Sequence, residues 1–135
     1  MSKRAVVAAV LVFVAWNILD FLIHGVLLMD LYVESQSLWR PMEEMKQGVM
    51  QLSVAGHAIL FCLLYDRFIA GRGLATALGY ALIWGLAAGL GMAASYAWMP
   101  LPPTLAWGWL AGSVFEGLAA GVILGLVVKE PRAAS

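Results

Sequence analysis

Between Ala5 and Met29 the chain runs for about seven helical turns on apolar residues, with polar side chains only at Asn17, Asp20 and His24. A run of this length crosses the roughly 30 Å hydrocarbon core of a bilayer. No water is available there for backbone N–H and C=O groups, so the segment must pair them internally. A helix does this within one segment. Three similar runs follow, at about 49–65, 74–98 and 105–128. Composition agrees: 63% of the residues are hydrophobic and 12% charged, against about 45–50% and about 25% in soluble domains. The expected fold is an all-α integral membrane protein, a single domain over residues 1–135 with four transmembrane helices and the lipid bilayer as its first partner.

Several function classes lose support at once. The formal net charge is zero, which argues against a nucleic-acid partner. Cys62 is the only cysteine, so there is no intrachain disulfide and no CxxC redox pair. No glycine-rich phosphate loop follows a strand, and no serine–histidine–acid arrangement stands out. The chain therefore reads as a binding or transport module rather than an enzyme. Met1-Ser2-Lys3-Arg4 and the apolar run behind it resemble the start of a signal peptide, but no A-x-A boundary follows, and an uncleaved first span is expected.

The connections differ in character. Residues 30–48 are the most polar stretch, and Leu38, Met42, Met45 and Val49 follow helical spacing with Pro41 where a first turn would tolerate it. With Tyr32 and Trp39 nearby, this predicts a short amphipathic surface helix. Trp39, Trp98, Trp107 and Trp109 read as interfacial belt residues. Arg67 and Arg72 occupy the second turn, and the three prolines of Met99-Pro100-Leu101-Pro102-Pro103-Thr104 enforce a third. Lys3, Arg4, Arg67, Arg72, Lys129 and Arg132 fall on one side, and only Arg40 and Lys46 on the other. The positive-inside rule then puts both termini in the cytoplasm and the first connection outside, in a multi-pass protein of the inner (plasma) membrane.

Asn17, Asp20 and His24 lie at i, i+3 and i+7, within one helical face about 60° wide. Ionised groups cost about 2.5–3.5 kcal/mol at the centre of an inserted helix, so they normally turn inward and find partners. The second span offers Ser53 and His57 at i, i+4, the third offers Tyr96, and the fourth offers Glu116. Counted from the outer face, Asp20 and Glu116 each lie about 16 Å deep, and His24 and His57 about 11 Å. This matching predicts a shared site of Asp20, His24, His57 and Glu116, with Asn17, Ser53 and Tyr96 as secondary polar groups.

Three chemistries suit that set. Two imidazoles and two carboxylates could ligate a divalent metal such as zinc, iron or manganese. Glu116, Asp20 and His24 could instead relay protons for transport. His24 and His57 could also be the axial pair of a haem b, in an electron-transfer protein or an accessory subunit of a membrane complex. The bland alternative is a partner-binding subunit whose polar residues only set helix register. Gly85 and Gly89 in the third span, and two sets in the fourth, Gly108 and Gly112, then Gly117, Gly121 and Gly125, repeat at four-residue spacing within each set and predict close helix packing. Such faces serve contacts within a subunit, in a homo-oligomer, or with a membrane-complex partner.

The spacing Asp20…His24-Gly25…Tyr32…Trp39-Arg40-Pro41, with Pro100-Leu101-Pro102 and Glu116 later, resembles small four-span bacterial membrane proteins. In size the chain is also similar to small multidrug transporters. Those carry their essential glutamate in the first span, whereas here that span holds Asp20 and the glutamate lies in the fourth.

Overall fold

The structure is a computed structural model that describes residues 1–128; Lys129 and Arg132 of the charge count lie outside it. Among the described residues every regular element is helical. Helix α1 (Lys3–Leu22) continues through a π-helical turn (Ile23–Leu27) into the short α2 (Met29–Glu34), and α3 (Gln47–Phe68), α4 (Gly73–Ala93) and α5 (Pro103–Val127) complete the set. Four helices are long and apolar enough to cross a membrane: Lys3–Leu27, Gln47–Phe68, Gly73–Ala97 and Pro103–Val127.

Helix boundaries follow local chemistry. Ser2 caps α1 by accepting the Ala5 N–H on its hydroxyl. The same residue donates its N–H and its hydroxyl to the two carboxylate oxygens of Asp66, at 2.7 Å each, which ties the start of α1 to the end of α3. Gly71 and Gly73, with φ of 90° and 83°, make the left-handed turn between α3 and α4. Pro103 opens α5 at a first-turn position, where its missing N–H costs nothing.

Neighbouring helices run antiparallel. Helix α1 sits between α3 and α5, and α4 packs most extensively on α5. Between α4 and α5 the approach is so close that a Cβ on Gly85 would lie 2.6 Å from the Ser113 carbonyl oxygen, and one on Gly117 would lie 2.6 Å from that of Ala81. Gly89, Gly121 and Gly125 face Leu110, Ala81 and Leu74 in the same seam. Gly108 and Gly112 do other work, receiving Leu28 and Ile23 from the far end of the first span. Helices α3 and α4 meet mainly through aromatic rings: Phe61 stacks on Tyr80 at 4.9 Å and meets Trp84 edge-on at 5.5 Å, while the Tyr80 hydroxyl donates to the Phe61 carbonyl.

Two apolar clusters result. The larger, with Ala5, Ala8, Val12, Trp16, Phe61, Cys62, Tyr65, Ala77, Ala81, Ala120 and Leu124, fills the end of the bundle that holds the N-terminus. The smaller joins Leu101, Leu105 and Trp109 to Leu28, Leu31, Tyr32, Leu38 and Trp39 at the opposite end.

The first connection differs from the predicted surface helix. After α2 it forms only single 3₁₀ turns, Gln36–Leu38 and Met42–Glu44. Trp39 is extended at ψ 155°, and Pro41 takes ψ 148° instead of starting a helix. A proline disfavours the helical region for Arg40 before it, and the backbone, already extended at Trp39, does not return to helix there. The apolar spacing serves separate ends: Leu38 packs on the Trp109 cluster, while Met42 stays 77% exposed.

Candidate functional site

The polar residues gather where α1 crosses α5, between the two apolar clusters. Trp16 sets the register: its indole N–H donates to the Glu116 carbonyl at 2.9 Å. One turn further along α1, the Asp20 carboxyl comes close enough to Glu116 for the two side chains to interact directly. Glu116 Oε1 is buried and has no hydrogen-bond partner among the described residues. Just beyond α1, the first residue of the π turn, Ile23, fits over Gly112.

His24 lies in the π turn. The turn closes with a Leu28 N–H to Ile23 C=O bond of 2.8 Å, five residues back, which admits one extra residue. Such turns are frequent at functional positions. His24 Nε2 stands 3.7 Å from Asp20 Oδ1, and both side chains are partly accessible. On its other edge, Nδ1 is 2.6 Å from the Tyr32 hydroxyl, which also receives the Trp109 indole N–H at 2.6 Å.

These contacts assign proton positions. An indole can only donate, so the Tyr32 oxygen is the acceptor from Trp109, and its own hydrogen is free to go to His24 Nδ1. Neutral His24 then carries its hydrogen on Nε2, the nitrogen that faces Asp20. Burial holds the Tyr32 phenol above its ordinary value of 10.0, the Trp109 N–H opposes this, and the Asp20 charge adds to it. The phenol therefore stays protonated and able to donate. The polar groups line up from Glu116 through Asp20 and His24 to Tyr32, hydrogen-bonded between His24 and Tyr32 and 3.7 Å apart between His24 and Asp20, with Trp109 fixing the far end. Trp39 closes over that end, with ring centroids 5.5 Å from Tyr32 and 6.1 Å from Trp109.

The remaining predicted residues lie elsewhere. Asn17 turns toward α3, where its side-chain oxygen accepts from Gln51 at 2.8 Å and its nitrogen donates to the Phe13 carbonyl. His57 is exposed on α3, and its Nδ1 donates to the Ser53 carbonyl of its own helix at 2.9 Å. Tyr96 is 53% exposed in the 3₁₀ turn after α4. The structure thus joins Asp20, His24 and Glu116 and leaves His57, Ser53 and Tyr96 apart. Equal depth placed the two histidines at one level, but depth carries no information about which way a helix face points. Among the described residues, no three His, Cys, Asp or Glu side chains come together in an arrangement that could hold a metal ion.

Sequence reasoning missed Tyr32, Gln51 and the indole N–H groups of Trp16 and Trp109. Trp109 is not a belt residue: it is 7% exposed, unlike Trp98 at 70% and Trp107 at 69%. Its spacing of seven residues from Glu116 was the available signal, since i, i+7 share a helix face. Nothing periodic pointed to Tyr32, which reaches His24 only because the π turn and α2 fold it back.

Compared with known protein families, curated proteins and solved structures, the chain matches none of them.

Proposed function

We propose that this protein is a proton-relaying module of the inner membrane, with both termini in the cytoplasm, in which Glu116 and Asp20 share a proton near the bilayer centre and Tyr32 and His24 deliver it to them from the outer side. The observation that carries this reading is the buried, unpartnered Oε1 of Glu116 beside a second carboxyl group. Two carboxyl groups in contact away from water bear one negative charge between them far more readily than two, so such a pair is suited to hold and release a proton. The neutral His24 tautomer supplies the next step, because it presents a hydrogen to Asp20 on one side and a lone pair to the Tyr32 hydroxyl on the other. The hydrogens of Tyr32 and His24 both point inward. Once the 3.7 Å gap to Asp20 closes to hydrogen-bond distance, Tyr32 gives its hydrogen to His24 Nδ1, His24 Nε2 gives its own to the Asp20 carboxylate, and the Tyr32 oxygen takes a proton from the outer surface. Ionisable residues in membrane helices commonly serve proton relays of this kind, often in transport.

The test is proton uptake into vesicles holding the purified full-length chain and a pH-sensitive dye, driven by an imposed potential. Wild-type protein should acidify the lumen, and Glu116→Gln should reduce uptake to the level of protein-free vesicles while its helical circular dichroism is unchanged. Uptake by Glu116→Gln at the wild-type rate would sink the proposal and assign the cluster to packing.

A further inference from the structure

His57 and Ser53 lie outside the relay, yet they place hydrogen-bonding groups on the outer face of a helix apolar enough to span a bilayer. A carbonyl oxygen can only accept, so the His57 Nδ1 that bonds to it is the protonated nitrogen, and Nε2 of the neutral ring is left as an acceptor. Ser53 Oγ, four residues earlier on the same face, is a donor. Neither atom has a partner among the described residues, and lipid tails offer none.

Gly56 stands between them. A Cβ there would meet nothing within 4 Å, whereas the glycines of the α4–α5 seam each face a neighbouring helix. Glycine inside a helix costs about 1 kcal/mol relative to alanine in water, and no close contact among the described residues accounts for it at position 56. Around it, Val49, Leu52 and Leu60 are 67%, 75% and 53% exposed. The face therefore has an apolar stripe, a small residue at its centre, and one donor and one acceptor that do not satisfy each other.

We propose that this face binds the same face of a second copy, with the Ser53 hydroxyl of each donating to the other's His57 Nε2. Copies in one membrane share an orientation, so the two-fold axis lies along the membrane normal and the two α3 helices run parallel. A two-fold contact needs a self-complementary surface, and a face with one donor and one acceptor four residues apart meets that need. The bond from His57 Nδ1 to the Ser53 carbonyl tips the ring toward the Ser53 turn, which shortens the axial offset between donor and acceptor in a parallel pair. Gly56 lets the two backbones approach, as small residues do at membrane helix contacts. This proposal is independent of the proton relay.

Energy transfer between donor-labelled and acceptor-labelled full-length chains, measured as they are diluted in lipid vesicles, reads the dimer directly. Wild type should dimerise. Ser53→Ala and His57→Phe should each weaken association by about tenfold, since each removes two modest interhelical hydrogen bonds at once. The double variant should be no weaker than either single one, because both remove the same bonds. Gly56→Ile should abolish the dimer while thermal unfolding of the monomer is retained, because a Cβ at position 56 would meet nothing within 4 Å among the described residues. A monomeric wild type, or a dimer that survives Gly56→Ile, would overturn the proposal, as would additive losses in the double variant.

Discussion

The two sides of α5 hold the bundle together by different means. On one side α4 meets it backbone to backbone through Gly85, Gly117 and Gly121, beside a core of alanine and aromatic rings. On the other side the first span and α2 meet it through directional bonds: Trp16 to the Glu116 carbonyl, and Trp109 to the Tyr32 hydroxyl that also bonds to His24. Shape complementarity tolerates almost no added volume but is indifferent to protons. The bonded side leads to the end away from the N-terminus, and that bonded end, with a π turn and partly accessible side chains, depends on which atom carries a hydrogen. Proton chemistry belongs on the bonded side, braced by the packed one.

The sharpest way to break this contrast is to add volume to the seam. Gly85→Val puts a side chain against the Ser113 carbonyl and the Val114 Cα, at 2.6 and 2.9 Å from the new Cβ. Backbone atoms cannot step aside, so the helices must separate, at a cost of about 3 kcal/mol read as a lowered midpoint in thermal or denaturant unfolding. An equally stable Gly85→Val would show that the seam is looser than it looks.

A smaller effect is expected at the bonded end. Tyr32→Phe leaves the Trp109 indole N–H without its acceptor and His24 Nδ1 without its donor, which should cost about 1–3 kcal/mol. Its signature is chemical as well as energetic. Nitrogen chemical shifts of His24 should move from a single Nε2–H tautomer toward a mixture, and unchanged shifts would refute the assigned proton positions.

The smallest effect concerns alkaline stability. The Tyr32 phenol is raised above 10.0 in the folded chain, so the folded state keeps this proton at pH values where the unfolded state has begun to lose it. The resulting stability is complete below pH ~10 and is lost as the pH rises through the folded value. Unfolding midpoints measured across that window should fall more steeply in wild type than in Tyr32→Phe. Parallel slopes would mean that the phenol is not shielded.

The helical class and the four long apolar segments were legible in the chain because length and hydropathy suffice for both. Much of the glycine seam was legible too, since four-residue spacing marks a face regardless of what covers it. The candidate site was only partly so. Asp20 and His24 share a face by simple periodicity, and Glu116 entered through depth. His57 entered by the same argument and does not belong, because two residues can lie at one level on helices whose faces point apart. The first connection misled in another way. Leu38, Met42 and Met45 keep helical spacing, but Pro41 and the residue before it decide the backbone there.

By itself, then, the sequence determined that this chain has four helices fit to span a membrane, and which residues on them would be costly to leave in lipid. Those properties are sums along the chain, and no partner is needed to evaluate them. Tertiary structure decided which costly groups meet. It set α1 on α5 through one indole bond, shifted His24 with an extra residue in a π turn, folded Tyr32 back onto it, and turned His57 outward. The first and the last depend on the rotation of one helix about its axis relative to another, an angle set by side-chain packing between segments distant in sequence; the other two are local, and Trp109 holds Tyr32 from 77 residues away.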